Sequence, residues 1–74
     1  MEREKKDELL VKIGEKIEKR RLEMNLSKHE FADLLKTSRA QLNRLIHGDV
    51  NSSIVRLKEI CELTDMSLVD LVSL

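Results

Sequence analysis

Four side chains within six residues hold the densest hydrogen-bonding chemistry in the chain: Arg39, Gln41, Asn43 and Arg44, set around the small Ala40. Guanidinium and primary amide groups bond in pairs, so they suit a flat edge bearing two hydrogen-bonding atoms rather than a bond-making step. Lys28, Lys36 and Ser38 flank them and offer charge and a hydroxyl to anionic oxygens. Nothing comparable points to catalysis. There is no glycine-rich phosphate loop and no nucleophile–base set, and 74 residues leave too little chain to shape a deep pocket. His29 and His47 lack the spaced Cys, His and carboxylate companions of a metal site. Cys61, the only cysteine, falls on an apolar face and reads as a small core residue. The expectation is a binding protein with no enzyme activity, no metal, no cofactor and no small-molecule substrate.

The elements that must position these groups are helices. The chain has no proline, glycine only at Gly14 and Gly48, and no alternation of β-branched with polar residues. Leu10, Ile13, Ile17 and Met24 recur at helical spacing, with Arg21 on the same stripe. Gly14 also lies on it, where it would let another helix come close, and Asn25 is a natural stop. Two capping boxes follow, Ser27–Glu30 and Ser38–Gln41. The first opens a helix that turns Phe31, Leu34 and Leu35 inward; the second buries Leu42, Leu45 and Ile46 and ends at Gly48. With only Lys36 and Thr37 between them, the two helices must cross steeply. After a polar loop, Ser53 caps a helix with Leu57, Ile60 and Cys61 inward, stopping near Thr64 or Asp65. Ser67 caps a last short one with Leu68, Leu71 and Val72. The expected fold is all-α, a compact five-helix domain.

Residues 1–8 alternate in sign without an apolar face and read as a charged extension, frayed or forming the start of the first helix; the domain proper spans 9–74. They do not resemble a signal peptide, and no apolar run approaches the roughly 18 residues of a membrane span. A single cysteine fits a reducing cytoplasm. Net charge is zero but unevenly spread. Residues 25–48 carry Lys28, Lys36, Arg39 and Arg44 against Glu30 and Asp33, whereas 49–74 carry Arg56 and Lys58 against five carboxylates. An anion-binding face belongs in the middle of the chain.

The stretch from Leu26 to Leu35 resembles the first helix of a phage-repressor/Cro-type helix-turn-helix, with Ala32 at the small-residue position where the helices touch. Ser38 to Gly48 resembles its recognition helix and closing glycine. The likeness extends back to Ile13–Ile17 and Arg21, and forward through Leu57, Ile60, Leu63, Met66, Ser67 and Leu68. The motif spans 27–48. It implies double-stranded DNA as partner, a palindromic operator bound by a homodimer, and a transcriptional repressor as the role. The residues agree with it. Burying Leu42, Leu45 and Ile46 turns Ala40, Arg44 and His47 to the opposite side, with Gln41 and Asn43 on its flanks and Arg39 projecting forward. Such a helix suits the major groove: Arg39 or Arg44 on a guanine edge, Gln41 or Asn43 on an adenine edge, Ala40 against a thymine methyl. Lys28, Lys36 and Ser38 would hold phosphates.

Three positions depart from the family pattern. Lys36 stands where glycine is common in the turn, and Asp49 opens a loop that is often basic. Ile46 replaces the glutamate that often pairs with the first-helix arginine, so Arg21 must turn to Glu30, a backbone carbonyl or solvent. These departures, with neutral charge, leave a second reading open: a protein-interaction module that keeps the fold and reads no DNA. Leu9, Leu10 and Val11 at one end and Val69, Val72 and Leu74 at the other are the expected surplus apolar surface for a dimer seam or a partner.

Overall fold

The computed structural model describes residues 7–73. Among them are five helices and no strand: α1 Glu8–Glu23, α2 Lys28–Leu34, α3 Arg39–Ile46, α4 Ile54–Thr64 and α5 Leu68–Val72. The all-helical expectation holds. The charged run at 1–6 lies outside the described residues, as does Leu74; Asp7 and Glu8 begin α1.

Every helix starts on a short polar side chain. Asp7 caps α1, and Ser27, Ser38, Ser53 and Ser67 cap α2 to α5, each accepting a bond from a first-turn amide. The Ser27–Glu30 box is complete, with both bonds formed. The Ser38–Gln41 box is half made: Ser38 Oγ accepts from the Gln41 amide at 3.1 Å, and the Gln41 side chain returns no bond to Ser38.

The helix ends share one device. Asn25, Lys36, Gly48 and Asp65 each take a left-handed conformation, at φ 58°, 58°, 74° and 55°. After each, an amide reaches back five residues: Leu26 to Arg21, Thr37 to Ala32, Asp49 to Arg44 and Met66 to Cys61. Only one of the four is glycine. Lys36 has neither the freedom of glycine nor the local bonding of Asn or Asp, so its conformation costs roughly 1–2 kcal/mol.

α1 is the spine. It packs on α3 and α5, while α2 packs on α3 and α4 on α5. Ile13, Ile17, Phe31, Ala32, Leu35, Leu42, Leu45, Leu57, Ile60, Cys61 and Leu71 form the core. Gly14 faces the end of α3 so closely that a Cβ there would sit 2.2 Å from the Ile46 carbonyl oxygen. Thr64 is fully buried, its Oγ1 donating to the Ile60 carbonyl at 2.7 Å.

The apolar surplus lies elsewhere than the sequence reading placed it. Leu9 and Val72 pack against the core, Leu10 is half-buried and Val11 abuts Gly48. Among the described members of that set Val69 alone is widely open, at 71% exposure. The other exposed large apolar residues among those described are Leu22, Ile54, Val55 and Leu63, three of them on α4.

Candidate nucleic-acid interface

α3 presents the side that its inward triad dictates. Leu42 and Leu45 are buried and Ile46 packs against the core, leaving Arg39, Ala40, Arg44 and His47 exposed. Arg39 is the first helical residue and Ala40 the second, so the open end of α3 carries a guanidinium beside a bare methyl. Arg44 lies on the same side one turn on. Among the described residues the side chains of Arg39, Arg44 and Lys36 make no hydrogen bond or ion pair. Their donors are available to a ligand.

The flanking amides are less alike than the sequence implies. Gln41 is exposed and also lines a hollow of about 150 Å³ beneath the 49–53 loop, with Leu42, Leu45, Val50 and Arg56. Asn43 is half-buried. Its Oδ1 is enclosed and meets no donor among the described residues. Lys36 stands apart from the reading side: it lines a second hollow with Arg56, Glu59, Glu62 and Leu63.

The rim forms at the start of α2. Lys28 is in its first turn, beside the capping box that pulls the Glu30 carboxyl below its ordinary range through bonds to the Ser27 amide and hydroxyl. Ser38 lies exposed at the equivalent place on α3. A clamp fixes the chain leading into this rim. Arg21 donates through Nε to Glu18 Oε1 at 2.6 Å, through Nη2 to Glu18 Oε2 at 2.9 Å, and through Nη1 to the Leu26 carbonyl at 2.7 Å. This answers where Arg21 turns in place of the family's usual partner: a carbonyl, as foreseen, and Glu18 rather than Glu30. The Arg21 hydrogen bond is the main cause that holds the Glu18 carboxyl below its ordinary value; Lys28 and His47 add their fields.

Other cations are occupied by the ends of helices. Arg20 Nε donates to the Thr64 carbonyl at 2.6 Å, Arg56 to the Leu35 carbonyl, and Lys16 to the carbonyls of Asp70 and Ser73. None of these was foreseen from the sequence. A carbonyl acceptor has no residue signature, and the partners lie 21 to 57 residues away. The neutral chain therefore divides its positive charge between internal locks and a small set left open on and beside α3.

Among the described residues no group of His, Cys, Asp and Glu could hold a metal ion, and no helix is long and apolar enough to cross a membrane. His29 lies 3.6 Å from Asp33, and burial pushes the Cys61 thiol above its ordinary value.

Two short helices locked across a tight turn, the second open to solvent along one side, match a family model described as "Helix-turn-helix" over residues 17–71. The chain belongs to this helix-turn-helix family. No curated protein matches the sequence. Among solved structures, the chain is similar to the restriction-modification controller protein C.AhdI from Aeromonas hydrophila, at 26% identity and TM-score 0.74, over 84% of this chain and 94% of that one. It also shares its fold with the clp gene regulator ClgR from C. glutamicum, at 22% identity and TM-score 0.78, over 88% of this chain and 84% of that one. Family membership places this helix-turn-helix protein among DNA-binding transcriptional regulators.

Proposed function

We propose that this helix-turn-helix protein is a repressor that binds a short palindromic operator as a homodimer, reads the major groove with α3, and acts by occlusion in the cytoplasm. The observation that carries the reading is the exposed side of α3, where Arg39 and Arg44 are unpartnered among the described residues while Arg20, Arg21 and Arg56 are all engaged. Arg39 and Ala40 at the start of the helix and Arg44 in its last turn are the base-contacting residues. Gln41 reaches from one flank. Asn43 joins them through its amide nitrogen, since its oxygen faces inward. Lys28 and Ser38 hold phosphates, helped by the free amides at the helix starts. Lys36 is a third phosphate ligand if its side chain swings away from Glu59 and Glu62.

So few open cations give one copy a shallow salt dependence, roughly 0.9 log units of affinity per log unit of salt for each phosphate neutralised. A palindrome bound by two copies doubles the contacts, which is the reason for proposing a homodimer. Selection of bound duplexes from a random pool, at low and at physiological salt, tests the proposal. One enriched two-fold-symmetric motif is the expected result. The second reading, an interaction module that reads no DNA, draws on the exposed Ile54, Val55, Leu63 and Val69. A pool that enriches nothing, together with a protein partner that co-purifies, would establish it instead.

A further inference from the structure

The turn between α2 and α3 sets the angle at which α3 meets a groove, and its own bonds leave one gap. The Phe31, Ala32 and Asp33 carbonyls accept from Leu35, Thr37 and Lys36, closing the end of α2. The Leu35 carbonyl, just before left-handed Lys36, accepts from none of these turn amides. It receives Arg56 from α4 instead, 21 residues on. Leu35 and Leu42 are fully buried on the core side of this point, and its outer side is hollowed. One hollow, of about 150 Å³, opens on the Thr37–Gln41 side of Arg56, and another, of about 220 Å³, on the Lys36 side. Close packing normally fixes how two helices cross. On the outer side of the pivot, between the two hollows, no such packing backs the turn, and α4 packs mainly on α5 rather than on the motif. A charged hydrogen bond supplies what packing does not. The Glu59 carboxylate, 3.9 Å from the Arg56 guanidinium, steadies it from the next turn.

The geometry points to Arg56 as a positioning residue for sequence discrimination: it touches no DNA and fixes the α2–α3 pivot by holding the Leu35 carbonyl. This rests on the DNA-reading function proposed above. Base contacts need a fixed register, whereas phosphate contacts tolerate small rotations, so loosening the pivot erodes specific binding and spares non-specific binding.

Two measurements on the full chain test it. Arg56→Met keeps the aliphatic stem and removes the donors; Arg56→Lys keeps a donor. In the free protein, amide hydrogen exchange at Lys36 and Thr37 should quicken about tenfold in Arg56→Met relative to amides of α1, the size of one charge-assisted hydrogen bond, and return toward wild type in Arg56→Lys. Unchanged exchange at the turn overturns the inference whether or not the protein binds DNA. On duplexes, the ratio of affinity for the selected operator to that for a scrambled sequence should fall about tenfold in Arg56→Met, with the salt slope unaltered. A parallel loss on both duplexes with a slope lower by about 0.9 would make Arg56 a phosphate ligand and overturn the inference. A wild-type protein that selects no operator refutes the DNA reading alone, and the exchange measurement still decides the pivot.

Discussion

Arg20 and Arg56 on the scaffold helices and Arg39 and Arg44 on α3 are the same residue type put to opposite uses. The first pair points inward to the carbonyls of Thr64 and Leu35, each immediately before a left-handed residue that ends a helix. The second pair points outward and engages nothing among the described residues. Overall net charge conceals this division, because it counts both pairs alike. The lesson is that a neutral chain can keep an open cationic face when its scaffold consumes its other cations at helix ends, where the macrodipole and unpaired carbonyls favour positive charge.

The largest expected effect breaks the comparison by separating scaffold from reading helix. Gly14 is the point where α1 touches the end of α3. Gly14→Ala gains about 1 kcal/mol of helix propensity. It also forces a methyl onto a backbone oxygen 2.2 Å away, which has no rotamer to yield. Such overpacking costs typically 1–3 kcal/mol and more when backbone must move, so we expect a net loss of about 2 kcal/mol in urea unfolding. A variant as stable as wild type would show that α3 can shift without penalty.

On the reading side, Arg44→Ala and Arg39→Ala should each cost about 1–3 kcal/mol on the selected operator, with relaxed preference at one base position and unchanged stability. Lys28→Ala should act differently, weakening every sequence alike and flattening the salt dependence by about 0.9 per phosphate lost. Equal operator binding by wild type and the Arg39/Arg44 double variant would remove α3 from the groove.

These expectations show which parts of the molecule local sequence encodes. Ser27, Ser38, Ser53 and Ser67 were legible as caps because each bonds an amide three residues on. The inward triads were legible because helical periodicity is local too. What escaped was tertiary. The locks of Lys16, Arg20 and Arg56 end on carbonyls that any residue supplies, so no pairing of types announces them. Asn43 and Gln41 look equivalent on a helical wheel; only the packing around α3 turns the Asn43 oxygen inward and sets Gln41 beside the hollow under the 49–53 loop. The exposed apolar residues of α4 were missed for a related reason. Ile54 lies at the edge of the inward stripe of Leu57, Ile60 and Cys61, Val55 and Leu63 lie off it, and whether a neighbour covers them depends on how α4 packs.

The Arg21 clamp lies between the two regions and gives the pH test. Glu18 has a folded-state pKa below its ordinary 4.5, chiefly through the Arg21 hydrogen bond. Its contribution is thus complete above about pH 4.5 and is lost as pH falls through the folded value. Both side chains are mostly buried, at 13% and 27% exposure, so the pair is worth about 1 kcal/mol. Wild type should lose that stability as pH falls below about 4.5, by urea unfolding, and the Glu30 carboxyl, lowered by its bonds to Ser27, titrates in the same direction. Glu18→Gln should start lower at pH 6 and fall less over the same window. An unchanged pH profile in Glu18→Gln would show that the clamp adds nothing to folding.

The smallest effect decides to which region Lys36 belongs. It is left-handed at φ 58° and stands beside Glu59 and Glu62, yet sits in the turn of the motif. Lys36→Gly removes the Cβ strain, roughly 1–2 kcal/mol, and returns about 0.4–1 kcal/mol through a freer unfolded chain. The net should be a gain of about 0.5 kcal/mol, seen as a higher urea midpoint at unchanged slope. The same variant lacks one cation. If Lys36 holds a phosphate, the salt slope of DNA binding falls by about 0.9 per copy; if it faces the α4 carboxylates, the slope stays and only stability changes. Stabilisation without a change of slope would move Lys36 from the reading surface to the scaffold, and leave Lys28 and Ser38 as the grip on the backbone.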